Sequence, residues 1–184
     1  MDTPTDFDYY YFDDPNAFGY QGYERPNALS PVMSLWNSIA SICNREHVHT
    51  AVDIGCAKGF LVEFLISRGI DAVGYDISNY ALSFARLLPC FQHDIRNGVP
   101  RRGDAIMALG VLIYLRPDEL PNVLAEIRSA TDKVFFFSAH YLENRQLVPD
   151  PLRTITQSRS WWIETIESAG FQFHEESVFF DMYV

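Results

Sequence analysis

The sequence predicts one α/β domain, built on a mostly parallel seven-stranded sheet with helices on both faces. Short apolar segments typical of buried strands alternate with segments whose apolar residues recur every three or four positions, as in amphipathic helices. This alternation is typical of right-handed β–α–β units, which build parallel sheets. Two β-prone runs, 171–175 and 178–184, follow each other closely and predict a C-terminal antiparallel hairpin.

The individual elements follow in order from residue 30. Ser30 and Pro31 are typical of an N-cap and first helical turn, and Val32, Leu35, Trp36 and Ile39 continue that helix. The predicted strands before the hairpin are 51–54, 72–75, 90–93, 104–109 and 133–138. The other predicted helices are 60–68, 78–88 with Ser78 as cap and Pro89 as stop, one beginning at Pro117, and 161–169.

Residues 1–29 differ from the rest because they are crowded with aromatic and acidic side chains that follow no helical or strand period. The aromatic residues are Phe7, Tyr9, Tyr10, Tyr11, Phe12, Phe18, Tyr20 and Tyr23. We expect 1–29 to be a lid over a single domain spanning 30–184. A loosely ordered acidic tail is the alternative.

Charge and cysteine content exclude several classes of protein. Lysine and arginine number 14 against 24 acidic residues, a net charge of −10, which disfavours binding to nucleic acid or an anionic membrane. The longest apolar stretch, 105–115, is shorter than the ~18 residues that a membrane span needs. Three cysteines without a CxxC motif, and an N-terminus without a signal-peptide pattern, favour a reduced, cytoplasmic protein. No metal site is expected, because Cys90 and His93 have no second ligand pair.

A glycine turn and two spaced acids indicate a ligand site at the ends of the first strands. The turn after the first strand has small residues at Gly55, Ala57 and Gly59, where backbone can approach a ligand. It matches neither the dinucleotide fingerprint nor a phosphate loop. Asp76 ends the second strand, where a carboxylate can accept hydrogen bonds from both ribose hydroxyls, and Asp94 follows the third. This pattern favours a nucleoside ligand without a pyrophosphate.

The segments that carry these residues resemble the class I S-adenosylmethionine (SAM)-dependent methyltransferases, which have a Rossmann-like fold. The likeness is closest to a small bacterial branch often found with sugar or secondary-metabolite enzymes. Its motifs are Asp53–Val62, Gly74–Ser78 and Tyr80–Leu82, followed by Phe18–Tyr23, Ser160–Trp162 and Ala169–Phe171.

The resemblance implies that SAM is the cofactor and S-adenosylhomocysteine (SAH) the product. It also implies a role for each matching position. Gly55, Ala57 and Gly59 would flank the methionyl and ribose groups, and Asp53 would orient the amino group of SAM. Asp76 would bind the ribose, Ile77 would contact the adenine, and Asp94 with the Ile95 backbone would approach the adenine amino group. Leu109 and Gly110 would line the methionyl end of the site. The family often has glycine where this chain has Ala57.

Residues around the methyl group are harder to assign. His140 and Tyr114 follow the fifth and fourth strands and are candidates for a general base, with a loop-shaping histidine as the alternative for His140. We expect the aromatic residues Tyr11, Tyr20 and Tyr23 to face the sulfonium and exclude water, although core packing would also explain them. Arg25, Arg153 and Arg159 are candidates for holding an anionic group, or are surface residues.

The sequence therefore predicts SAM-dependent methyl transfer to a small molecule, at oxygen rather than nitrogen, with a sugar or natural-product intermediate as acceptor. Segment 108–111 lacks the Asp/Asn-Pro-Pro-aromatic run of enzymes that methylate base amino groups, which argues against nucleic acid as acceptor. The expected assembly is a monomer or homodimer, with acceptor walls from 1–29 and 140–158. Alternatives are a non-catalytic SAM-binding partner subunit, a small-amine N-methyltransferase and, disfavoured by Ala57, a nicotinamide-dependent reductase.

Overall fold

The computed structural model describes residues 6–16, 19–143, 150–177 and 180–184. Its helices are α1 (Tyr9–Phe12), α2 (Pro31–Arg45), α3 (Phe60–Ser67), α4 (Asn79–Leu82), α5 (Leu120–Ala130) and α6 (Arg159–Ser168). Its strands are β1 (Thr50–Ile54), β2 (Asp71–Asp76), β3 (Cys90–Gln92), β4 (Gly103–Leu109), β5 (Thr131–Ser138), β6 (Phe173–Glu176) and β7 (Asp181–Tyr183). Short 3-10 turns cover Ile95–Asn97 and Leu112–Tyr114.

The seven strands form one sheet in the order β3-β2-β1-β4-β5-β7-β6. Strands β1 to β5 pair in parallel, whereas β7 is antiparallel to both β5 and β6. The predicted sheet and its antiparallel C-terminal hairpin are therefore confirmed. Because the strand order reverses between β1 and β4, their carboxyl ends diverge there, and this is where open α/β sheets bind ligands.

Hydrophobic cores cover both faces of the sheet. Val52 and Ile106 belong to the core that includes residues of α5 and α6, while Ala51 and Met107 belong to the core that includes residues of α2 and α3. Residues 134–137 of β5 are buried without exception, because side chains pointing to either face meet a helical layer. This explains the three consecutive phenylalanines of that strand.

Two predicted helices differ from the observed ones. The helix predicted over 78–88 ends at Leu82, although Ser78 does cap it by accepting a hydrogen bond from the Ala81 amide. The residues that follow form turns, and Phe84 and Leu87 are exposed, so the second half of the predicted helix lacks an apolar surface to pack against. The helix predicted from Pro117 begins at Leu120.

The last predicted strand, 178–184, is longer than the observed one, since β7 covers Asp181–Tyr183. Val178 and Phe179 of the predicted run lie outside the described residues. No helix in the described ranges is long and apolar enough to cross a membrane.

Candidate functional site

A cleft of about 320 Å³ opens at the carboxyl ends of β1, β2 and β4, beside the reversal in strand order. Its walls come from the glycine turn, the ends of β2 and β4, the segment after β3 and the N-terminal segment. Of the predicted site residues, the cleft is lined by Gly55, Ala57, Asp76, Ile77, Asp94, Ile95, Leu109, Gly110, Tyr114, Tyr11, Tyr20 and Tyr23.

The glycine turn is fixed directly to the end of β2. The Gly55 amide donates to the Tyr75 carbonyl over 2.7 Å, and the Ala57 amide donates to Asp76 Oδ2 over 2.8 Å. The Ser78 amide donates to Asp76 Oδ1 over 2.7 Å. Both Asp76 oxygens thus accept backbone hydrogen bonds, the Ile77 amide is a further donor to this carboxylate, and a carboxylate has about four lone-pair sites in all. Burial raises the pKa of Asp76 above its usual value, although these backbone hydrogen bonds oppose the shift.

Ala57 has a left-handed backbone conformation, which glycine adopts more readily than other residues. Its φ is +48°, and its side chain packs in the small cluster with Tyr11, Phe12 and Ala81. Ala57 therefore makes a left-handed turn without glycine, while its side chain packs against the N-terminal segment.

Three predicted site residues lie outside the lining of the cleft: Asp53, Gly59 and His140. Asp53 is buried beneath the turn, where burial and the nearby charge of Asp76 raise its pKa to about 8. Gly59 is the N-cap of α3, and a Cβ there would lie 2.9 Å from Leu88 and 3.0 Å from Cys90. Packing and a φ of +75° therefore explain this glycine.

Asp94 lines the cleft but is engaged with a neighbour. Its carboxylate accepts hydrogen bonds from the Arg96 guanidinium at 2.9 Å and from the Arg96 amide at 3.0 Å. The guanidinium lowers the pKa of Asp94, so the carboxylate is ionised in the folded protein. Asp94 and Ile95 both line the cleft, together with the glycine turn.

The N-terminal segment folds across the cleft through its aromatic residues. Tyr11 and Phe12 are 3% and 4% exposed, so these two residues of α1 are as buried as the main core, whereas Tyr9 and Tyr10 of the same helix are exposed. Phe7 contacts both Tyr11 and Tyr114 edge-on, with ring centroids 5.0 Å apart in each pair. Phe18, counted among the aromatic residues of this segment and the first residue of one of its motifs, lies outside the described residues.

An ion pair ties this segment to the glycine turn. Lys58, which lies within the turn, donates to both carboxylate oxygens of Asp13 at 2.7 Å. The same carboxylate accepts hydrogen bonds from the Tyr80 hydroxyl at 2.6 Å and from the Tyr23 amide at 3.0 Å. Burial raises the pKa of Asp13, but these hydrogen bonds, led by that from Lys58, lower it by more. The segment is therefore bonded to elements that also form the cleft.

Tyr114 and Tyr11 meet a buried acid at the edge of the cleft. Their hydroxyls are 2.5 Å apart, and that of Tyr114 donates to Asp150 Oδ2 over 2.8 Å. Asp150 Oδ1 accepts from the Leu152 amide, which fixes the carboxylate. Sequence reasoning missed Asp150, Asp13 and Lys58, because each pairs with residues distant in the chain and no spacing pattern marks such pairs.

The remaining candidates have other surroundings. His140 keeps part of its surface in solvent, and the partial burial of its ring, followed by the charge of Arg153, lowers its pKa. Arg25 pairs with Glu63, and Arg159 pairs with Asp181 and Glu176.

Sequence comparison gives one distant curated relative. The chain is 29% identical over 143 residues to a ubiquinone biosynthesis O-methyltransferase of Paraburkholderia phymatum. That alignment covers 77% of this chain and 49% of the relative, so the chain spans about half of the relative's length. No known family profile matches the chain.

Structure comparison gives closer agreement over the whole fold. Streptomyces venezuelae DesVI superposes with a TM-score of 0.70 at 14% identity, covering 82% of this chain and 90% of that protein. Magnesium protoporphyrin IX methyltransferase from Synechocystis PCC 6803, solved with bound SAH, superposes with a TM-score of 0.64 at 15% identity, covering 86% and 87%. The chain has the class I methyltransferase fold. The resemblance indicated by the motifs of β1 and β2 is confirmed at the level of the fold.

Proposed function

We propose that this chain binds SAM in the cleft and transfers its methyl group to an oxygen of a small molecule. The observation that carries the proposal is the junction of the glycine turn with Asp76, made by the 2.8 Å bond from the Ala57 amide and located where the strand order reverses. The O-methyltransferase name of the curated relative and the bound SAH of the Synechocystis structure support it.

The residues of the cleft fit the chemistry of this cofactor. Asp76 has free lone pairs for ribose hydroxyls, and Ile77 and Ile95 offer apolar surface to an adenine ring. Three acids, Asp6, Asp76 and Asp94, line the cleft. Among the lining residues that the structure describes, Arg96 is the only lysine or arginine, and it is paired with Asp94. A cleft with this charge favours a cationic nucleoside over a phosphorylated one.

When bound, SAM supplies a methyl carbon already activated by the positive sulfur, so the chain's main task is alignment. Leu109 and Gly110 line the floor of the cleft after β4, while Phe7, Tyr11 and Tyr20 cover it. This aromatic cover would exclude water from the reacting groups, and aromatic rings attract cations such as the sulfonium. The acceptor is expected beside Tyr11 and Tyr114, two of the tyrosines that line the cleft, whose hydroxyls meet at Asp150.

We also propose a cytoplasmic location, no binding to nucleic acid, and a monomer or homodimer as the assembly. The three cysteines are free thiols, in keeping with a reducing cytoplasm. The net charge of −10 supports a protein that does not bind nucleic acid. The proposed assembly is a monomer or a homodimer. Light scattering on a sizing column measures the molar mass that distinguishes the two.

The test of the activity is the release of SAH from SAM in the presence of defined acceptors. Purified protein is incubated with SAM and with matched sugars, phenols and amines, and both SAH and the methylated product are quantified by mass spectrometry. We expect SAH and a methyl ether with a hydroxyl acceptor, and neither without acceptor. Methylation of amines alone would contradict the assignment to oxygen, and SAH binding without any transfer would favour the partner-subunit alternative.

A further inference from the structure

The contact between Tyr11, Tyr114 and Asp150 forms a chain of hydrogen bonds that leads out of the cleft. The single hydroxyl proton of Tyr114 is directed at Asp150 Oδ2 over 2.8 Å. The Tyr11 hydroxyl lies 2.5 Å from that of Tyr114 and also donates to the same carboxylate oxygen over 3.4 Å, so all three groups are connected by hydrogen bonds. Both rings line the cleft, whereas Asp150 lies behind them with 11% of its side chain exposed.

The groups around Asp150 fix the position of its carboxylate in this series of hydrogen bonds. Its Oδ1 is held by the Leu152 amide, and Arg153 lies 4.0 Å from Oδ2 with 8% of its side chain exposed. Among the residues that the structure describes, His140 and Tyr20 also interact electrostatically with Asp150. Burial raises the pKa of both Tyr11 and Tyr114, so the two phenols keep their protons and act as donors and relays.

We propose that Asp150, through Tyr114 and Tyr11, takes up the proton that an acceptor hydroxyl loses on methylation. The inference rests on the proposed function and names the acceptor class as neutral hydroxyls that must be deprotonated. The acceptor oxygen forms its bond to the methyl carbon as the bond from that carbon to sulfur breaks. The acceptor proton passes to Tyr11, the Tyr11 proton to Tyr114, and the Tyr114 proton to Asp150. The positive charge on sulfur and the negative charge on Asp150 disappear together.

Asp150 does not line the cleft, so it is a positioning residue that acts through the two phenols. A general base of this kind contributes about 100-fold or more to a rate. Its contribution must shrink as the acceptor itself becomes more acidic, since an acceptor that is already ionised needs no base. A purely structural role would lower the rate equally for all acceptors.

The experiment compares wild type with Tyr114→Phe and Asp150→Asn on a series of catechols whose acidity is set by ring substituents: 4-methoxycatechol, catechol and 4-nitrocatechol. Tyr114→Phe leaves the Asp150–Arg153 pair intact and removes only the relay hydroxyl. Tyr141→Phe is the matched control, because the Tyr141 hydroxyl donates to Asp181 over 2.7 Å in a similar pair that does not line the cleft. SAH affinity is measured calorimetrically for every variant.

We expect Tyr114→Phe and Asp150→Asn to lower kcat by about 100-fold for 4-methoxycatechol and by less than about tenfold for 4-nitrocatechol. SAH affinity stays within twofold of wild type, Asp150→Glu restores part of the rate, and Tyr141→Phe matches wild type. Equal losses across the catechols, or a wild type that binds SAH but methylates none of them, would overturn the relay. Failure of wild type to bind SAH would instead overturn the proposed function.

A second readout does not depend on turnover. In SAH-loaded protein labelled with ¹³Cζ-tyrosine, catechol should shift the resonances of Tyr11 and Tyr114, assigned from their phenylalanine variants, and leave that of Tyr141 in place. Without catechol, the Asp150→Asn substitution should by itself move the Tyr114 resonance, because the Tyr114 hydroxyl loses a charged acceptor. Unchanged Tyr11 and Tyr114 resonances on addition of catechol would contradict the proposal.

Discussion

Gly59 and Gly69 share a left-handed backbone but differ in their surroundings, which separates two reasons for a glycine. Gly59 has a φ of +75° and Gly69 of +81°. A Cβ added at Gly59 would lie within 3.1 Å of Leu88, Cys90 and Ala85. A Cβ added at Gly69 would have no atom within 4 Å. Only the first position therefore combines backbone strain with a packing conflict.

Replacement of each glycine by alanine tests this difference. Gly69→Ala is expected to cost about 1–2 kcal/mol of unfolding free energy from backbone strain alone. Gly59→Ala is expected to cost about 1–3 kcal/mol more, because the neighbours must also move. Urea unfolding of both variants measures the difference. Equal losses would mean that Leu88 and Cys90 do not constrain the turn.

At the scale of elements, the N-terminal segment is attached to the cleft by polar bonds as well as by aromatic packing. Asp13 is 19% exposed and its partner Lys58 is 7% exposed, so their ion pair is largely withdrawn from water. Removal of one member of such a pair leaves a buried charge without its partner. The attachment therefore depends on Asp13 more than on any exposed acid of the same segment.

Asp13→Asn is expected to loosen residues 6–23, because a buried pair that loses one member costs about 3–5 kcal/mol. Chymotrypsin should then cleave after the tyrosines of this segment several-fold faster than in wild type. Asp14→Asn is the control, since Asp14 accepts its hydrogen bond from the nearby Asn16 amide. Similar cleavage rates in wild type and Asp13→Asn would show that aromatic packing alone holds the segment.

The elements also show which features a sequence reveals. The strands, α2 and the glycine turn depend on local periodicity, caps and small residues, and these were predicted within a few positions. Helix α4 was predicted too long because its length depends on what it packs against beside β3. Asp150 and Asp13 were missed for a similar reason: their partners Tyr114 and Lys58 are distant in sequence, and only the folded chain brings them together.

At the scale of the whole molecule, Asp53 couples stability to pH. Its pKa is raised from 3.8 to about 8 by burial and by the charge of Asp76. Between these two values the folded protein holds a proton that the unfolded chain has released, so the unfolding free energy falls as the pH rises. One such group changes the unfolding free energy by at most about 1.4 kcal/mol per pH unit.

Asp53→Asn should therefore flatten the decline in stability between about pH 5 and about pH 7, a window that lies about one unit inside these two pKa values. Near the upper limit the variant should be at least as stable as wild type, because it no longer buries a charge. Urea unfolding at several pH values measures this, with the exposed Asp71→Asn as control. A slope that is the same in Asp53→Asn and wild type would contradict the raised pKa.

The central claim is that the cleft binds SAM through Asp76, and calorimetric titration with SAH tests it most directly. Wild type is expected to bind SAH with a micromolar dissociation constant, about −8 kcal/mol. Asp76→Ala should lose at least about 100-fold in affinity, or about 2.7 kcal/mol. Asp71→Ala, at the opposite end of the same strand, should bind as wild type does. Absence of SAH binding by wild type, or unchanged binding by Asp76→Ala, would contradict the account.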